Sequence, residues 1–187
     1  MTFLKPALLG TAFVLVACGT MPDRYAVIPP DVTETVRISF RTVEIRDVSL
    51  PSFAAADEIA IQEADGKLVT DSDILWADAP ERAVALELAR NLARLSRARV
   101  APEPWPFEAL PDARVDIRFE NLVARVEGQF RASGQYFVGA EDSRRERSGL
   151  FDLAVSYDPE GGLPALARAR GQVILDLATL IARDGLR

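Results

Sequence analysis

Three segments decide the fold: ARVDIRFENL (113–122), GQFRASGQYFV (128–138) and GLFDLAVSYD (149–158). In the first, Val115, Ile117 and Phe119 occupy alternate positions. In the second, Phe130, Ala132, Gly134, Tyr136 and Val138 do so. In the third, Phe151, Leu153, Val155 and Tyr157 repeat the pattern. Small or apolar residues at every second position turn one face of a strand toward a core and leave the other to solvent. The charged run EDSRRER (141–147) between the second and third segments reads as a hairpin tip. The spacing therefore predicts a meander of three half-buried strands.

Outward from this block the period changes. Asp158-Pro-Glu-Gly-Gly reads as a turn. The following stretch to Leu186 reads as a helix, with Leu166, Val173, Leu177 and Leu180 on one face, widened by Ile174 and Ile181, and Gly185 as C-cap. Upstream, DAPERAVALELARNLARLSRA (78–98) predicts a second helix starting at Asp78. Asp78 and Glu81 have capping-box spacing, and Pro80 suits the first turn. Val84, Leu88, Leu92 and Leu95 form its apolar stripe. Arg90, Arg94 and Arg97 lie on the other side as a solvated face supported by Glu87.

Earlier still, EIAIQEADGKLVTDS reads as a hairpin. Asp65-Gly66 suits a type I′ turn, which needs positive φ at both central residues. Val36 to Pro51 reads as one long strand. Val36, Ile38 and Phe40 alternate, then the phase shifts to Val43, Ile45 and Val48, the mark of a bulge or bend. RYAV (24–27) reads as a first strand. Strands and helices do not alternate strictly, so the expected architecture is α/β in the α+β sense. It is a two-layer fold: a mixed, largely antiparallel sheet with two amphipathic helices packed on one face.

The single cysteine of the chain stands in FVLVACGTMP (13–22). Before it come a short basic start with Lys5 and an uncharged apolar run from Pro6 to Ala17, the layout of an export signal and too short to span a bilayer. LVAC (15–18) looks like a bacterial lipobox, which implies diacylglyceryl transfer to the Cys18 thiol and cleavage by signal peptidase II between Ala17 and Cys18. Sulfur is the nucleophile that this chemistry requires. Stable anchoring takes two or more chains, which a triacylated Cys18 would supply. The domain layout that follows is a signal peptide over 1–17, a lipidated tether over 18–24, and one domain over 25–187.

The chain carries 22 basic and 28 acidic residues, and removal of Lys5 with the signal leaves a mature charge of 21 − 28 = −7. That balance speaks against a nucleic-acid partner. There is no histidine. Ser/His/Asp and Cys/His catalysis and His-based metal sites are therefore excluded. No cofactor motif is present, and no metal is expected. The carboxylate pairs Asp71 with Asp73 and Glu141 with Asp142 read as surface loop residues rather than a glycosidase-type dyad. The expected role is binding or assembly, not catalysis.

The order of segments resembles the ABC-type transport auxiliary lipoproteins, the PqiC/YmbA-like family. The resemblance rests on the Tyr25 strand soon after the lipid cysteine, VSLP (48–51) followed by Phe53, LWADAP (75–80) leading into the first helix, VDIRFENL (115–122), and LATLIA (177–182). The stretch SFAAADEIA (52–60) departs from it by lacking an Arg before the hairpin. The family implies a periplasm-facing lipoprotein working with an ABC permease and ATPase and an MCE-type (mammalian cell entry) protein in lipid traffic between membranes, in support of membrane integrity. Gly19 stands where inner-membrane lipoproteins commonly carry Asp, which implies the outer membrane. A homo-oligomer is expected opposite a multimeric partner. Two other readings compete: a generic outer-membrane assembly or stability lipoprotein with a different partner, and a carboxylate-dependent hydrolase.

Candidate partner contacts are Trp105, in the Pro-rich PEPWPF loop, Trp76, and the rim arginines Arg144, Arg145 and Arg147. Tryptophan is enriched at binding hot spots, but it also fills cores at element ends, the reading favoured for Trp76.

Overall fold

The computed structural model describes residues 21–140 and 143–187. The strands are β1 (Asp23–Tyr25), β2 (Thr42–Ser49), β3 (Ile61–Gln62), β4 (Leu68–Val69), β5 (Ile74–Trp76), β6 (Arg99–Pro102), β7 (Ala113–Arg125), β8 (Gln129–Ala140) and β9 (Arg147–Ser156). The helices are α1 (Ser52–Ala55), α2 (Pro80–Ser96) and α3 (Gly162–Leu180).

The predicted meander is the centre of the sheet. β7, β8 and β9 pair antiparallel in sequence order. On its other side β7 serves two partners end to end, both parallel: β2 along its first half and β3 along its last turn. β6 adds parallel to β2, and β4 antiparallel to β3. The sheet is thus mixed, with the long pairings antiparallel. β1 and β5 form a separate two-stranded parallel sheet.

α2 packs on β2 and β6, and α3 on β8 and β9, so the two helices lie side by side on one face. Between the layers, Val84, Leu88, Leu92, Leu95, Val173, Ile174 and Leu177 are fully buried against Val43, Ile45, Val115 and Ile117. The opposite face is polar. Arg131 bonds Asp152 at 2.8 Å, Arg114 reaches Glu44 at 3.2 Å, and the Arg118 guanidinium lies 5.0 Å from the Phe137 ring centroid.

β7 and β8 change register between Phe119 and Asn121. Gly134 sits across this irregularity with φ 155°. A Cβ there would stand 2.9 Å from Phe119 Cα and closer still to the Arg118 carbonyl oxygen. Only glycine lets the two backbones approach this way.

Several local expectations are corrected. Residues 36–41 are not strand, although Val36 and Phe40 are buried. Their backbone serves other elements: Val36 N–H donates to Leu95 O and Ser39 N–H to Leu186 O. The phase shift itself is real, because the register of β2 against β7 changes between Ile45 and Val48.

Asp78 does not cap α2. Ala79 occupies the N-cap position without a side-chain bond, while the Asp78 carboxylate pairs with Arg82. The hairpin turn is not type I′. Only Gly66 has positive φ (91°), and Gly66 N–H donates to Glu63 O, the pattern of a type I turn closed by a left-handed glycine.

α3 ends in a π-helical turn, Ile181–Gly185. Gly185 gives close approach to Tyr136 rather than a left-handed cap. The strand β6 and the short helix α1 were not expected from the sequence. Glu87 is buried, not part of a solvated face.

Candidate functional site

β2, β6 and β7 begin at the same end of the sheet where β8 finishes and β9 starts. Two loops meet there. One joins β6 to β7 and contains Trp105. Its indole N–H donates to Ala109 O at 2.7 Å, which closes the loop on itself. Trp105 packs edge-on against Phe107, with centroids 4.9 Å apart. Arg99, on the first residue of β6, holds the Phe107 ring from below at 4.8 Å. This leaves Leu110 77% exposed beside the aromatic pair.

The other loop is the β8–β9 tip with Arg144, Arg145 and Arg147. All three are exposed. Arg145 stacks on the Phe40 ring at 4.6 Å, and Arg147 donates to the Glu146 and Arg144 carbonyls at 2.8 and 3.0 Å. Glu141 and Asp142 lie outside the described residues.

Asp112 fastens the β6–β7 loop to the start of β2. Its Oδ2 accepts from the backbone N–H of Arg41 at 2.9 Å and of Thr42 at 3.0 Å, while Asp112 N–H donates to the Thr42 hydroxyl at 2.8 Å. Partial burial pushes the Asp112 carboxyl upward. The donors on Arg41 and Thr42 and the charge of Arg145 outweigh it and hold the group below the ordinary Asp value.

Around this fastening run three adjoining hollows of about 370, 410 and 600 Å³. Leu110 and Asp112 are shared by two of them, and Asp116, Gly139 and Glu146 by two. The groove combines exposed apolar side chains with arginines and carboxylates of both signs. Aromatic and Arg anchors in such a setting suit protein recognition. Of the candidate contacts, Arg147 lines the groove itself, while Trp105 lies in the β6–β7 loop, whose Ala109 and Leu110 line it.

Trp76 is not with them. It is 7% exposed, registers with Tyr25 in the small sheet, and faces Leu122, Ala124 and Phe130 at the other end of β7. From Val115 to Ala124 that is about 30 Å at the rise of a strand. Trp76 is a core residue, as its place at an element end suggested, and it lies away from the groove.

Asp71 and Asp73 occupy a turn in which Asp71 Oδ1 accepts from Asp73 N–H at 2.9 Å. Among the described residues no group of three or more acidic, Cys or His side chains is placed to hold a metal, and no helix is long and apolar enough to cross a membrane.

One polar pair escaped the sequence reading. Arg170 on α3 and Glu87 on α2 are 3% and 7% exposed and approach to 3.6 Å. Arg170 also lies 4.5 Å over the Trp76 ring. Burial raises the Glu87 carboxyl despite nearby Arg170 and Arg90, and burial lowers Arg170 despite Glu87. The signal was present in the helical period: Arg170 falls between Leu166 and Ile174 on the apolar stripe.

The family model for the ABC-type transport auxiliary lipoprotein component matches residues 25–182. The chain belongs to this family. Two solved structures share the fold. One is a protein described as uncharacterised, with TM-score 0.67 and 16% identity, matched over 86% of this chain and 97% of that one. The other is from Xanthomonas campestris, with TM-score 0.63 and 14% identity, over 86% and 95%. No curated protein matches.

Proposed function

We propose that this protein is an outer-membrane lipoprotein, anchored through Cys18 and facing the periplasm, that docks the far end of an MCE-type assembly of an ABC lipid transport system. It performs no bond chemistry. It is homo-oligomeric, so as to match a multimeric partner. The family supports the transport role.

The observation that carries the docking role is the distance between two ends. Strand β1, which begins five residues past Cys18, pairs with β5 up to Trp76 beside the last residues of β7, while the groove lined by Leu110, Asp112 and Arg147 opens at the opposite end of β7. A groove on the membrane-distal end meets a partner that arrives from the other membrane. The rim arginines set orientation and on-rate more than affinity.

Affinity purification of the full-length protein from solubilised membranes tests this. Co-elution of an MCE protein with its permease and ATPase is expected, weakened at least tenfold by Leu110→Asp. Recovery of outer-membrane assembly factors in their place refutes the docking role. Light scattering at micromolar protein tests the oligomer. A strict monomer, alone and with the partner, overturns that part.

A further inference from the structure

A second concavity lies at the anchor end of the molecule, away from the docking groove. It is a cleft of about 190 Å³ between Tyr25–Val27, Trp76 and the first half of α2. Its walls are apolar, from Tyr25, Val27 and Leu86, and its charged lining is Asp78, Glu87, Arg90 and Arg170, of which Asp78 is already paired with Arg82.

The other three each keep an unmet polar atom. Glu87 Oε2, Arg90 Nε and Arg170 Nη2 are buried without a hydrogen-bond partner in the protein. The Glu87–Arg170 contact at 3.6 Å is longer than a hydrogen bond. Buried charges are costly unless their remaining donors and acceptors are met. The lining carries both signs: Arg90 and Arg170 can receive an anion, Glu87 a cation.

The cleft holds roughly six water volumes at about 30 Å³ each, too little for acyl chains and enough for a small polar group. Its wall residue Tyr25 is seven residues from Cys18. That is about 24 Å of extended chain at most, so the cleft stays beside the membrane surface.

We propose that this cleft binds the headgroup of a membrane phospholipid bearing both a phosphate and an ammonium, with the phosphate at Arg90 and Arg170 and the ammonium at Glu87. The glyceryl region then rests on Tyr25, Val27 and Leu86. The proposal rests on membrane anchoring through Cys18 and is independent of the docking partner.

The test uses full-length protein in a non-ionic maltoside detergent, in a Trp105→Phe background so that Trp76 is the only indole. Dihexanoylphosphatidylethanolamine is titrated below its micelle-forming concentration. A saturable change in Trp76 emission is expected. Arg90→Gln, its fold checked by circular dichroism, weakens binding at least tenfold. Dihexanoylphosphatidylglycerol, which lacks the ammonium, binds several-fold more weakly to the wild type, and Glu87→Gln abolishes that preference.

No saturable response to either lipid overturns the proposal. So does inorganic phosphate saturating at the same concentration, which marks a generic anion site. Free phosphoethanolamine binding as tightly as the lipid overturns the membrane source. Failure of the docking role is read in the affinity purification and leaves this titration untouched.

Discussion

The pair Glu87–Arg170 sets up a double-mutant cycle with a defined outcome. Both residues are at least nine-tenths buried and face each other across the two helices. Glu87→Leu leaves a buried guanidinium without its counter-charge, at a cost of about 3–5 kcal/mol. Arg170→Met leaves the carboxylate, which has an escape: it can take up a proton.

Burial already raises the Glu87 pKa and Arg170 is the main force lowering it, so removal of Arg170 raises it further. A carboxyl with a raised folded-state pKa binds more protons folded than unfolded. Stability therefore falls as pH rises past the unfolded value near 4.3. The Arg170→Met variant should recover stability on acidification from pH 7, at most about 1.4 kcal/mol per pH unit, while Glu87→Leu should show no such recovery. The double variant Glu87→Leu/Arg170→Met has neither orphan and should lie within about 1–2 kcal/mol of the wild type.

Urea unfolding of the three variants at pH 5, 6 and 7 reads all of this. For a domain of this size the single changes also lower Tm by about 6–20 °C. A double variant as unstable as either single would refute the premise that the cost is uncompensated charge rather than lost packing on Trp76.

Gly134→Ala should destabilise by about 2–5 kcal/mol in urea, because backbone of β7 already fills the site of a Cβ and φ is unfavourable for an L-residue; a loss under 1 kcal/mol would show that the β7–β8 approach relaxes freely. Asp112→Ala should cost about 1–2 kcal/mol at pH 7, since two backbone donors lose their acceptor. With its folded pKa depressed, the Asp112 contribution is present above the unfolded value near 3.9 and lost as pH falls through the folded one, so wild type and variant should converge in acid, as followed by thermal melts. Leu92→Asp places a charge at a fully buried position and should abolish cooperative unfolding by circular dichroism. Cys18→Ala should abolish radioactive palmitate incorporation; label on the variant would sink the lipidation assignment.

The elements that could be read in advance were those whose burial is one-sided and regular. Val115, Ile117 and Phe119 alternate because β7 has helices on one face and a polar face on the other. The α2 stripe through Leu92 and Leu95 repeats because it meets a flat sheet. Where a residue serves two elements the pattern misleads. Val36 and Phe40 alternate like a strand, yet the N–H groups of Val36 and Ser39 donate to Leu95 O at the end of α2 and to Leu186 O.

Strand β6 has only four residues, directly after a helix, and exists through its pairing with β2. The docking groove was half legible. Trp105 and the basic tip stood out as residue types, but their proximity depends on Asp112 tying distant segments together. Arg170 hid in plain view, because a charge on an apolar stripe signals a buried partner only when the partner is known.

The separation of β1 from the main sheet gives the anchor a mechanical character. Tension along the proposed lipid tether would reach three paired residues, Asp23 to Tyr25 against Ile74 to Trp76, before the core. Behind them the chain is held by Val27, Ile28 and Pro30 seated at Gly171. The first buried position that also anchors through the backbone to α2 is Val36. If the thirteen residues from Asp23 to Thr35 peel away, the tether lengthens by about 43 Å. The twelve paired positions of β7 and β8 and the layers beneath them stay intact. With the proposed anchor at Cys18 under load, the small sheet would act as a slack-releasing clasp, letting the domain rise from the bilayer and settle back when the load is gone.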